Sequence, residues 1–115
     1  MIRLFAKRDM NLFPDDENGD ILFRIWRRGG DLETSRAVDF SLVFPTKQQA
    51  ESFARELEAR GGEVEVSDYD DGEWDLRYSP TIVPSWKNIS EIESWLAEAA
   101  RKHEGRNDGW GFFAG

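Results

Sequence analysis

The chain has 115 residues, 23 acidic against 15 basic, with no cysteine and a single histidine. That length suits one domain with its own core, and the missing thiols exclude a disulfide framework, thiol catalysis and the ordinary Cys- and His-rich zinc sites. A formal net charge of −8 repels phosphate backbones and favours basic partners, while five Trp and eight Phe belong to a folded domain rather than an acidic tail.

Residues 1–14 read as a mildly basic, partly apolar arm (Ile2, Leu4, Phe5, Leu12, Phe13), either an edge strand or an irregular segment packed on the body. The arm has no apolar run of signal-peptide length, and no later stretch is long enough to span a membrane. A cytoplasmic protein without membrane contact is therefore expected, with residues 15–115 as its single domain. "PDDENGDILFRIWRRGG" predicts a helix capped by Asp15 or Asp16, with acids in its first turn, Arg27 and Arg28 in its last and Gly29-Gly30 as its stop. Ile21, Leu22, Ile25 and Trp26 form its apolar stripe, and Gly19 blurs where it begins.

"AVDFSLVFP" alternates, with Val38, Phe40, Leu42 and Phe44 on one face and Asp39 and Ser41 on the other. This is a half-buried strand ended by Pro45. In "TKQQAESFARELEARGG", Thr46 and Gln49 suit a capping box, Ala50, Phe53, Ala54 and Leu57 line one helical face, and Gly61-Gly62 end it. "EVEVSDYDDGEWDLRYSP" reads as a hairpin: Val64 and Val66 alternate in one arm, Trp74, Leu76 and Tyr78 in the other, and Asp71-Gly72 supplies the turn. A last helix, about Asn88 to His103, has Ile89, Ile92, Trp95, Leu96 and Ala99 as its apolar residues and is capped by Gly105. "NDGWGFF" then makes a short final strand.

This order, a helix and then β-α-β-β-α-β, predicts an α+β, ferredoxin-like βαββαβ sandwich with an additional N-terminal helix. Its spatial strand order would be 4-1-3-2, with the last strand beside the first. On that reading Trp110 plugs the end of the core, and its flanking glycines let the backbone turn and approach closely.

Catalytic constellations are absent. His103 stands at a helix end between Lys102 and Glu104, a place for a dipole partner rather than a base. Neither acidic loop has calcium register: a glycine at the sixth position puts Pro14 or Ser67 first and Ile25 or Tyr78 twelfth, where carboxylates are needed. No metal or cofactor is implied. RNA-recognition modules share this element order, but the positions alternating with Phe40, Phe44, Trp74 and Tyr78 are Asp39, Ser41, Glu73, Asp75 and Arg77, the wrong face for RNA. The hairpin is the remaining signal, with seven acidic residues and no basic one from Glu63 to Asp75. Glu63, Glu65, Asp68, Asp70, Asp71 and Glu73 are the candidate contacts for a basic segment of a protein partner.

The terminal "NDGWGFF", with the "AVDFSLVFP" alternation and the capped helix ending in Gly-Gly, resembles the regulator of ribonuclease E activity B (RraB-like) family of small acidic bacterial inhibitors. Members share a Tyr-Asp-Gly-Trp-Gly signature, matched here by Asp108, Gly109, Trp110 and Gly111, with Asn107 at the Tyr position. Asp15–Ile25 is similar to the start of many short members, and the resemblance runs from Asp15 to Phe113. It implies a ferredoxin-like fold, no catalysis, and binding to the non-catalytic scaffold region of ribonuclease E, which inhibits or modulates RNA turnover. The alternative is a small-molecule-sensing or oligomerising α+β module.

Overall fold

The computed structural model describes residues 2, 3 and 5–112; Leu4 of the arm and Phe113 after the last strand lie outside the described residues. The chain is α+β. Its elements are α1 (Glu17–Arg27), β1 (Arg36–Ala37), β2 (Asp39–Phe44), α2 (Lys47–Glu58), β3 (Glu63–Asp68), β4 (Trp74–Ser79), β5 (Thr81–Ile82), α3 (Trp86–Arg101) and β6 (Arg106–Gly111). A four-stranded sheet runs β3-β4-β2-β6 with every neighbouring pair antiparallel. A two-stranded ladder, β1 with β5, ties the segment before β2 to the segment before α3.

Each helix starts where a short polar side chain takes up an orphan amide. Asp16 accepts from the Gly19 amide, Thr46 from Gln49 and Ser85 from Asn88, each cap contributing about 1 kcal/mol. Helix α3 thus begins at Trp86, two residues before the predicted Asn88, because Ser85, directly after Pro84, is the residue that caps it. Its end also corrects the prediction. The left-handed residue there is Glu104 (φ 61°), not Gly105. The Gly105 amide closes the turn onto the Ala100 carbonyl at 2.9 Å. A glycine is needed at 105 for a different reason: a Cβ there would sit 2.4 Å from the Phe44 ring.

One sheet face carries the core. Phe40, Leu42 and Phe44 of β2, Leu76 and Tyr78 of β4, Ala50, Phe53, Ala54 and Leu57 of α2, and Ile89, Leu96 and Ala100 of α3 are buried together. Each Phe or Leu removed from water contributes about 1.5–3 kcal/mol. In α1 the predicted stripe shifts: Leu22 is buried in this core and the half-buried Phe23 and Trp26 pack against it, while Ile21 and Ile25, also half-buried, do not join it. The arm is irregular where it is described, and it is anchored by Phe13, which lies 5.5 Å from the rings of both Phe23 and Trp26. Arg8 clamps the same corner, donating to the Phe13 and Pro14 carbonyls and pairing with Asp20 at 2.8 Å. Gly19 opens α1 against this arm, since a Cβ there would fall 1.8 Å from the Pro14 carbonyl oxygen. Among the described residues no helix is long and apolar enough to cross a membrane.

Candidate functional site

Side chains alternate along a strand, so the sheet face turned away from the core is set by the residues between the apolar ones. It displays Asp39, Ser41 and Val43 from β2, Asp75, Arg77 and Ser79 from β4, and Glu63, Glu65 and Ser67 from β3. The register lines them up in rows: Glu63 beside Ser79, Arg77 between Glu65 and Ser41, and Asp75 between Ser67 and Val43. Val43 is the apolar exception and is buried. A shallow depression of about 480 Å³ lies on this face, lined by Asp39, Glu63, Glu65, Arg77 and Ser79.

Both arginines on the face are already engaged. Arg77 meets Glu65 at 3.0 Å, and Arg106 makes a bidentate pair with Glu73 at 2.7 and 2.9 Å. Those hydrogen bonds raise both guanidinium pKa values and hold Glu73 below the usual carboxylate range. Asp39 accepts the Ser79 hydroxyl at 2.6 Å. Asp75 is different: burial, and then the charge of Asp108, push its carboxyl up, with Arg77 opposing and Glu65 adding to the rise. The face therefore carries more negative charge than its own cations neutralise.

The hairpin extends this field. Asp71 (φ 56°, ψ 37°) and Gly72 (φ 78°) take the two central turn positions, closed by the Glu73 amide on the Asp70 carbonyl at 3.1 Å. Positive φ at both centres is what an Asp-Gly pair tolerates and most residues do not. The Tyr69 amide donates to the carbonyl of the same residue, Glu73, at 3.0 Å, so Tyr69 and Asp70 together face one residue, a bulge beside the turn. Asp68, Asp70 and Asp71 are exposed, and among the described residues none of them enters an ion pair.

At the opposite edge, β6 pairs with β2 through Asn107 opposite Leu42 and Trp110 opposite Phe40, with the register shifting between them. Asp108 and Gly109 thus share the place opposite Ser41. Gly109 has φ 99°, and its amide bonds the Asn107 side chain at 3.2 Å. This bulge sends both Asn107 and Trp110 to the core side and leaves Asp108 on the acidic face. On the core side a polar chain joins three elements. The Trp110 indole donates to Asn18 of α1 at 2.9 Å, Asn18 donates to Ser90 and Glu93 of α3, and Asn107 donates to Glu93 at 3.0 Å. Trp110 is half-buried, stacked 6.1 Å from Phe112 with the rings 9° apart.

Of the residues predicted from sequence, Glu63 and Glu65 stand on the acidic face at its β3 edge, and Asp68, Asp70 and Asp71 crown the hairpin. Glu73 is half-buried and bound to Arg106, which removes it from the available charges. In the terminal motif Gly109 needs its positive φ. Gly111 has neither a positive φ nor a close neighbour, contrary to the expectation that both glycines would be sterically required. His103 bonds Glu56 of α2 at 3.1 Å, and together with Lys102 it lowers the Glu56 pKa. Sequence reasoning missed the Asn18–Glu93 chain; the only hint was a carboxylate, Glu93, adjoining the apolar stripe of α3. It also missed that Asp108 would join Glu63, Glu65 and Asp75 on one face.

Among family models, the one described as regulator of ribonuclease activity B matches residues 15–112. No curated protein and no solved structure matches the chain.

Proposed function

Because this chain belongs to the regulator of ribonuclease activity B family, we propose that it is a non-catalytic, cytoplasmic regulator of ribonuclease E that docks on a basic segment of the enzyme's scaffold region and so inhibits or modulates RNA turnover. The family regulates ribonuclease activity; the acidic face and hairpin are the parts of this chain suited to such contact. One observation carries the reading. The hairpin carboxylates Asp68, Asp70 and Asp71 are exposed without an ion pair among the described residues, while Arg77 and Arg106 of the adjoining face are already held by Glu65 and Glu73. An uncompensated field of this kind steers a cationic partner over about a Debye length, about 8 Å at physiological salt, and raises the association rate. The same field repels RNA, so regulation acts through the protein.

The strand order β3-β4-β2-β6 supports reading the body as a ferredoxin-like sandwich with α1 added before it. Residues 1–14 would be its arm and residues 15–115 its single domain. The test is binding of the purified chain to ribonuclease E with and without its scaffold region, with cleavage of a reporter RNA followed alongside. Binding that needs the scaffold region, weakens as salt rises and accompanies slower cleavage is the expected result. Equal binding to the enzyme lacking that region, or none to either, contradicts the proposal.

A further inference from the structure

Among the described residues, strand β3 is a sheet edge, paired with β4 on one side only. In an antiparallel ladder, residues alternate between pairs that exchange both backbone hydrogen bonds with the neighbour and pairs that point them away. The bulge fixes the phase here: with the Tyr69 amide on the Glu73 carbonyl, Ser67, Glu65 and Glu63 bond inward to β4. Val66 and Val64 then present their N–H and C=O groups outward. Six residues of β3 run in unbroken register with β4, so this outward row is straight and regular.

The side chains of the same strand divide by face. Val64 and Val66 are half-buried and line a groove of about 250 Å³ against α2, with Ala54 at its floor and Glu51, Arg55 and Glu58 around it. Glu63 and Glu65 are exposed on the other side, beside the acidic depression. Any strand laid along β3 would put every second side chain over the valine groove and the others over the glutamates.

We infer that β3 takes up an extended segment of the protein partner by strand addition, and that the segment alternates small aliphatic residues with Lys or Arg. This rests on the proposed function and specifies how the basic segment is held. Main-chain hydrogen bonds to Val64 and Val66 supply affinity, and the alternating pockets supply register and choice. A second copy of this chain is disfavoured as the occupant, because pairing β3 with β3 brings Glu63 and Glu65 of both copies together.

The experiment uses the full chain and three probes: a short peptide alternating Lys and Val, a peptide of the same composition with its lysines in one block, and the alternating peptide N-methylated where it would face Val64 and Val66. The alternating peptide is expected to bind at least about tenfold tighter than either of the others, and to slow amide exchange at Val64 and Val66. Val66→Pro, which removes an outward donor and no bond to β4, should lose the same affinity while melting cooperatively. Equal affinity for the blocked or methylated peptide means that charge alone acts, and overturns strand addition. The same variant against ribonuclease E separates the two ideas. If the wild type binds the enzyme and Val66→Pro binds equally well, strand addition fails and the regulatory reading stands. If the wild type ignores the enzyme yet discriminates among the peptides, the regulatory reading fails and strand addition stands.

Discussion

The two edges of the four-stranded sheet are built on opposite plans. At β6 the strand is interrupted by a bulge, and its core-side residues Asn107 and Trp110 are tied through Asn18 and Glu93 to both α1 and α3. At β3 the strand is straight, its backbone faces solvent, and it is coated with carboxylates. Bulges and side-chain ties close an edge, and charge guards one that stays open. On the proposed reading, the edge with the sharpest sequence signature serves the integrity of the fold, and the edge marked only by a composition bias is the one that binds.

Removing the tie at the closed edge should have the largest effect. Trp110→Ala is expected to cost about 3 kcal/mol, lowering Tm by roughly 10 °C, while the folded fraction keeps its partner affinity. An unchanged Tm with abolished binding would reverse the roles of the two edges. Gly19→Ala drives a methyl into the Pro14 carbonyl where α1 leaves the arm, at a cost of about 2 kcal/mol, measurable by urea denaturation. Asn18→Ala leaves the Trp110 indole and Glu93 short of a partner and should cost about 1–2 kcal/mol. The indole's share of that loss should vanish in a Trp110→Phe background, where no indole N–H remains.

The smallest effect lies on the acidic face and depends on pH. The Asp75 pKa is raised in the folded protein above its ordinary 3.8, so the folded state holds this proton more tightly than the unfolded one. Below that ordinary value the group is neutral in both states, and folding gains its full contribution. The gain is lost as pH rises through the raised folded pKa. Asp75→Asn should therefore raise Tm slightly near neutral pH, and the difference should shrink towards about pH 3. A stabilisation that persists unchanged into acid would show that charge is not its cause.

Much of this was legible from the chain. Strand alternation at Phe40, Leu42 and Phe44 and the helical spacing of Ala50, Phe53, Ala54 and Leu57 named the core face, because periodicity records which side is buried. Asp71-Gly72 named its turn, because few residues accept positive φ. The β1–β5 ladder escaped notice because two-residue strands carry no period. Gly19 looked like a weakness in a helix when it marks a close contact with a backbone carbonyl, a relation no local pattern encodes. For the candidate site, the hairpin acids were visible as a charge run. That Glu73 would be spent on Arg106 and Asp108 would join the acidic face depended on the β6 bulge, which sets facing by a single residue of register.

The central claim, that the open acidic edge recruits a basic partner, is tested most directly by the association rate of one variant. Asp68→Asn/Asp70→Asn/Asp71→Asn keeps the turn's hydrogen-bonding groups and removes three charges. Rapid-mixing measurements against the ribonuclease E scaffold region across a salt series should show slower association than wild type at low salt, a flatter salt dependence and an unchanged Tm. A triple variant that associates as fast as wild type at low salt would contradict the account and leave the hairpin as no more than a solvated edge.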